Sequence, residues 1–112
     1  MKVSKETGRH YIWGGDCDGW HLVETESLSV IEESIPPGGG ERSHYHEKAQ
    51  QLFYILAGVG TFETDGVEAI VQKGEGYHVL PGVRHRVRNL GVEDLHFLVV
   101  SQPRTHGDRV NV

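Results

Sequence analysis

Short stretches rich in Val, Ile, Leu, Phe and Tyr recur along the chain between glycines and prolines, and no segment sustains apolar spacing at three and four residues. That pattern predicts strands and no amphipathic helix. Residues 20–35 alternate, with Leu28 and Val30 opposing Ser29, and Ile31 and Ile35 opposing Glu32 and Ser34, which predicts two strands joined near residues 25–27. Residues 36–40, Pro-Pro-Gly-Gly-Gly, end the second strand, because proline lacks a ladder donor and glycine permits a sharp reversal. Further strands are predicted at residues 42–45, 51–56, 60–64, 67–72, 76–80, 84–89 and 94–101. Between two of these, Asp65-Gly66 is a two-residue hairpin signal, since a type I′ turn needs positive φ at both central positions. The reading is an all-β chain, a small sandwich or barrel with no internal repeat or linker.

Composition narrows the function classes. At 112 residues the chain has room for one hydrophobic core, so a single domain over 1–112 is expected. The longest apolar run, residues 52–57, falls far short of the roughly 20 residues that cross a bilayer. The N-terminus has no apolar stretch of the secretory kind, and a soluble, cytoplasmic protein with no membrane partner is the expectation. Cys17 is the only cysteine, which rules out an internal disulfide and reads as an unpaired thiol near a turn. The formal charge is −5, and the one dense basic cluster, Arg84, Arg86 and Arg88, alternates along a single strand face. Without a broad basic surface to release phosphate counterions, no nucleic-acid partner is expected.

Two segments are less determined. Tyr11, Trp13 and Trp20 surround Gly14, Gly15 and Gly19, and these aromatics either line a ligand pocket or pack against the barrel or a partner subunit. The polar tail after Pro103 either covers an edge strand or is disordered.

The chemistry concentrates in histidines. His44 and His46 flank Tyr45 on one predicted strand, so their imidazoles share a face, and neutral imidazole is the commonest protein ligand for a transition metal. His85, after the Pro81-Gly82 turn, brings a third nitrogen from a strand remote in sequence. The surrounding spacing is specific. Gly38, five residues, His44, one residue, His46, four residues, Gln51, six residues and Gly58 follow the first motif of the cupins, with glutamine in place of glutamate. Gly74, five residues, Leu80, one, Gly82, two, His85, three and Asn89 follow the second, with Leu80 where proline is usual and Pro81 one place later.

The chain therefore resembles the small single-domain cupins, through motif blocks at 38–58 and 74–89 that keep eight of ten signature positions. The resemblance implies a double-stranded β-helix, or jelly-roll barrel, whose two antiparallel sheets enclose a metal site at one mouth. It also implies a homodimer. The expected metal ligands are His44, His46, Gln51 and His85, with Phe53 and Ile55 continuing on the face of Gln51 as an apolar floor. Alternatively Gln51 turns away and water completes the site; Glu47 replaces it only if the local register differs from that of the family. Imidazole-dominated sites suit Zn, Ni, Cu or Fe, and Mn is also compatible, so the divalent transition metal is not identified.

Three imidazoles and one oxygen leave coordination positions open to substrate, the arrangement of catalytic rather than closed structural sites. The leading expectation is a metal-dependent enzyme whose Lewis acid acts on a small sugar or hydroxy-keto acid, by isomerisation or ring opening. The alternatives are a cupin dioxygenase using a redox-active metal and a non-catalytic module that binds a small molecule such as a sugar. No catalytic acid or base is evident; His78 and Tyr54 are the candidates, although Tyr54 is expected to face away.

Overall fold

A computed structural model of the chain describes residues 1–112, and it contains eleven strands and no helix. They are β1 (Arg9–Trp13), β2 (Cys17–Glu24), β3 (Ser29–Ile35), β4 (His44–His46), β5 (Gln50–Ala57), β6 (Val59–Thr64), β7 (Val67–Gln72), β8 (Gly76–Val79), β9 (His85–Arg88), β10 (Leu95–Gln102) and β11 (Arg109–Asn111). A six-stranded sheet runs β1-β2-β3-β10-β5-β8, and a five-stranded sheet runs β11-β4-β9-β6-β7. From β3 onward the chain passes back and forth between the sheets, and every pairing is antiparallel. This is the double-stranded β-helix that the resemblance to the cupins implies.

Most predicted strands form, with ends shifted by a residue or two. The Asp65-Gly66 turn has φ of 50° and 83°, and Thr64 pairs with Val67 to close it, as the type I′ signal requires. β1 and β11 escape the sequence pattern. β1 carries only Tyr11, Ile12 and Trp13 as an apolar group, and β11 is three residues long, so each depends on the neighbour it pairs with. β4 begins at His44 rather than residue 42.

The inner faces of the two sheets divide into an apolar end and a polar end. Ile35, Ile55, Phe62, Val87, Leu95 and Phe97 are buried at 0–1% exposure and hold the sheets together. In the larger sheet, successive inward rows cross β3, β10 and β5 as Glu33-Phe97-Ile55, Ile31-Val99-Phe53 and Ser29-Ser101-Gln51. Along β10 and β5 these rows pass from hydrocarbon to polar side chains, and β3 adds the carboxylate of Glu33 within the first row.

Asn89 anchors the turns at the apolar end. It is fully buried, its Nδ2 donates to the carbonyls of Ile35 and Glu93 at 2.8 Å each, and its Oδ1 accepts from the Gly91 amide at 3.0 Å. One side chain therefore serves three backbone groups, one at the end of β3 and two in the loop before β10. Asn89→Ala leaves the buried Ile35 carbonyl without its partner and frees the loop that Asn89 ties down, and the expected loss is about 2–3 kcal/mol of unfolding free energy. A lower urea midpoint at unchanged slope is the measurement that checks it.

Candidate metal centre

The polar end of the interior is built by strand register. His44 and His46 alternate with Tyr45 on β4, and both are buried while Tyr45 is half-buried. His44 pairs directly with His85 of β9, so the two imidazoles meet on the same inner face. One ring nitrogen from each of His44, His46 and His85 lies within 4.8 Å of the others. Gln51 reaches the same point from the opposite sheet, with its Oε1 3.2 Å from His85 Nε2. Phe53 lies behind the group, its ring centroid 6.0 Å from that of His85.

The hydrogen bonds define what these nitrogens offer. His44 Nδ1 lies 2.8 Å from the Arg42 carbonyl, and His85 Nδ1 lies 2.8 Å from the Val83 carbonyl. A carbonyl only accepts, so each Nδ1 carries the hydrogen and each Nε2 keeps its lone pair. Gln51 Nε2 donates to Ser101 Oγ at 3.1 Å, which turns the amide oxygen toward His85. Two lone pairs then face each other across 3.2 Å, an arrangement that a cation between them would relieve. A proton is a poor candidate, because burial pushes the imidazole of His85 below its ordinary pKa. Burial likewise lowers His44 to about 3 and His46 to about 4, and His46 Nδ1 is buried with no hydrogen-bond partner. The trio is neutral at physiological pH and can hold a divalent ion without first losing protons.

His44, His46 and Gln51 line a cavity of about 240 Å³ whose other walls come largely from elements that sequence reading left undecided. Tyr11 and Trp13, two apart on β1, both line it, whereas Trp20 lies outside and stacks near His10. Glu33 of β3 lines it because it shares the inward parity of Ile31 and Ile35; that parity was the one available signal. Glu41 and Arg109 line it as well. No periodicity marks Glu41, in the irregular segment before β4, and Arg109 faces inward only because β11 places it opposite His46. Burial raises Glu33 to about 7 despite a hydrogen bond from Tyr11, and it raises Glu41, aided by the charge of Glu33, to about 8.

His78 and Tyr54 stand elsewhere. Tyr54 is exposed beside β8 and pairs with Gly76, and His78 is exposed opposite Leu52 with its Nε2 2.9 Å from Gln50 Oε1. Both lie on the outer face of the larger sheet, because β5 turns Gln51, Phe53 and Ile55 inward and the residues between them outward. Glu47 sits in the turn after β4, exposed, with its amide donating to Asp108.

Residues 31–101 match the family of the cupin domain. The chain belongs to the cupins. Among curated relatives, it is 30% identical over 91 residues to an oxalate-binding protein of Thermotoga maritima, an alignment that covers 77% of this chain and 75% of the relative. The crystal structure of a predicted oxalate decarboxylase from the same organism superposes with a TM-score of 0.83 at 25% identity, covering 93% of this cupin and all of that chain. A cupin-superfamily sugar phosphate isomerase of Silicibacter pomeroyi superposes at 0.84 with 17% identity, over 93% of this chain and 76% of that one, a likeness of fold alone. No helix of this cupin is long and apolar enough to cross a membrane.

The raised carboxyl of Glu41 has a thermodynamic consequence of definite sign. The folded state holds this proton more tightly than the unfolded chain, so the contribution to stability is full below the unfolded value near 4.5 and is lost as pH rises through about 8. Glu41→Gln keeps an acceptor for the Val87 amide and has no proton to lose. The variant is therefore expected to gain stability over the parent between pH 5 and pH 9, measured as the difference between their urea midpoints at each pH.

Proposed function

We propose that this cupin is a metal-dependent enzyme in which a divalent transition-metal ion, held by His44, His46, His85 and Gln51, serves as Lewis acid toward a small sugar or hydroxy-keto acid. The observation that carries the reading is the convergence of three neutral imidazoles and an amide oxygen held toward them on one point beside a cavity with ionisable walls. When bound, such an ion polarises a carbonyl or hydroxyl oxygen and lowers the pKa of the adjacent proton. Gln51 is neutral where glutamate is usual, so the local charge stays near +2 instead of +1 and the ion is the more electrophilic.

The protein's own groups supply the rest. Arg109 offers a guanidinium to the carboxylate of an acidic ligand, and its Nε is held by Asn111 Oδ1 at 2.8 Å. Phe53, Val99 and Ile31 give the cavity an apolar side against which a carbon skeleton can rest. A cavity of about 240 Å³ favours a ligand of a few carbons over a polymer.

A second reading is favoured by the relative named for oxalate binding. A small dicarboxylate can chelate a metal while Arg109 takes its far charge, and the domain then binds without chemistry. Turnover separates the two readings: zinc-loaded protein that isomerises a hydroxy-keto acid or sugar under argon supports the enzyme, and oxygen uptake with iron would move the assignment to a dioxygenase. A homodimer belongs to the same proposal and is read by light scattering on the eluted protein.

Two substitutions test the ligand set. His85→Ala is expected to weaken metal affinity at least about tenfold and to lower the metal content read by elemental analysis, since even groups outside the ligand shell are worth 10- to 100-fold in affinity. Gln51→Glu is expected to tighten metal binding and slow the Lewis-acid reaction; a protein changed in neither property has Gln51 outside the ligand shell.

A further inference from the structure

Two carboxylates in the cavity wall have no role in holding a metal. Glu33 and Glu41 both face the histidine chamber, one from β3 and one from the segment before β4, and neither takes part in a salt bridge. Arg109, whose charge opposes the upward shift at both, forms no ion pair with either and donates from Nε to Asn111 Oδ1 and from one terminal nitrogen to the Arg42 carbonyl. A carboxylate partly shielded from water and without an ion pair is costly, and glutamine would satisfy the same hydrogen bonds without a charge. Two such acids in one cavity wall point to a use of the proton.

Each is also held in place. Glu33 Oε2 accepts from Tyr11 Oη at 2.9 Å, and Glu41 Oε1 accepts from the Val87 amide at 3.2 Å while the Glu41 amide donates to the Val87 carbonyl at 3.0 Å. Tyr11 in turn lies over Gly19, its partner across β1 and β2, where any Cβ would collide with the phenol ring. The chain thus keeps a glycine at the point that lets Tyr11 reach Glu33.

We propose that Glu33 and Glu41 are the proton-transfer pair of the histidine chamber, one carboxyl carrying a proton while the other is ionised. The proposal rests on the Lewis-acid reading above and adds the groups which that reading lacks. For a hydroxy-carbonyl ligand the step balances without oxidant or reductant. The ionised carboxylate takes the proton from the carbon beside the carbonyl, the C–H electrons become the C=C bond, and the protonated carboxyl donates to the carbonyl oxygen, giving an enediol. Reversal at the neighbouring carbon completes an isomerisation. The charged and titratable groups facing the pair are Tyr11 of β1, Cys17 of β2, His44 and His46 of β4, and Arg109 of β11. Burial brings both carboxyls near neutrality, and the charge of Glu33 adds to the shift at Glu41.

The test has two arms on the full zinc-loaded chain. Carbon-13 NMR of protein labelled at glutamate carboxyls is expected to show two resonances that titrate above pH 6, one missing in Glu33→Gln and one in Glu41→Gln, with the Glu41 midpoint falling in Glu33→Gln. Titration of both in the ordinary carboxylate range near 4 overturns the proposal. In deuterium oxide with hydroxypyruvate as probe, loss of the C3 proton signal is expected to slow about 100-fold or more in each variant at unchanged zinc content. Exchange at the parent rate in both variants also overturns it. If the parent protein itself exchanges nothing, the Lewis-acid reading of the site fails instead, and the titration arm still decides whether the pair holds a proton.

Discussion

The site depends on a single cross-strand pair, His44 opposite His85, in an antiparallel ladder whose inner face is closed off from water. Direct opposition fixes the two rings on one side of the sheet, and a backbone carbonyl two residues before each ring takes its Nδ1 hydrogen. The lone pairs that remain have nowhere to go but inward. His46 follows from the two-residue period of β4, and Gln51 from the facing sheet, so the convergence of four side chains needs only register and closure. A slip of one residue in β4 or β9 would turn the imidazoles out and leave Tyr45 or Arg86 in their place.

Closure has a thermodynamic cost that the rest of the fold offsets. Nine buried residues are polar, six of them (Ser29, His44, His46, Gln51, His85 and Ser101) at the polar end of the interior, where they displace side chains that would otherwise add hydrophobic stabilisation. The apolar end compensates with three phenylalanines, since Phe53 contacts Phe62 edge-on at 5.3 Å and Phe97 at 5.9 Å between centroids. Phe53 belongs to both ends, touching the aromatic cluster on one side and His85 on the other. The division is graded along each strand, which allows a polar chamber and a cohesive core to share eleven short strands.

Much of this was readable in the chain because the responsible signals are local. Period-two alternation marks β3, β5 and β10; the Asp65-Gly66 pair marks a hairpin; and the histidine spacing marks the trio and its glutamine partner. What escaped depends on pairing partners distant in sequence. Tyr54 and His78 looked like chemistry by residue type, but they share the outer face of β5 and β8. Glu33 carried a parity signal that its charge disguised, since a glutamate in an alternating strand is expected on the solvent side. Arg109 had no signal whatever: a polar tail gives no periodicity, and only its pairing with His46 turns it inward.

That tail is held by an interaction that ties the chamber to the end of the chain. The Asp108 carboxylate accepts from the amides of Glu47, Lys48 and Ala49, the turn that carries the chain from His46 across to Gln51. Partial burial pushes its pKa up, but these hydrogen bonds outweigh that and hold it below the usual range. The same carboxylate therefore fixes the spacing between two members of the histidine-glutamine group and sets the next residue, Arg109, beside the cavity. Losing it would loosen the His46-to-Gln51 crossing and the placement of the guanidinium together, although it touches neither the imidazoles nor any ligand between them. A strand of three residues is too short to be stable alone, and this one is held by its pairing with β4 and by the Asp108 anchor that precedes it.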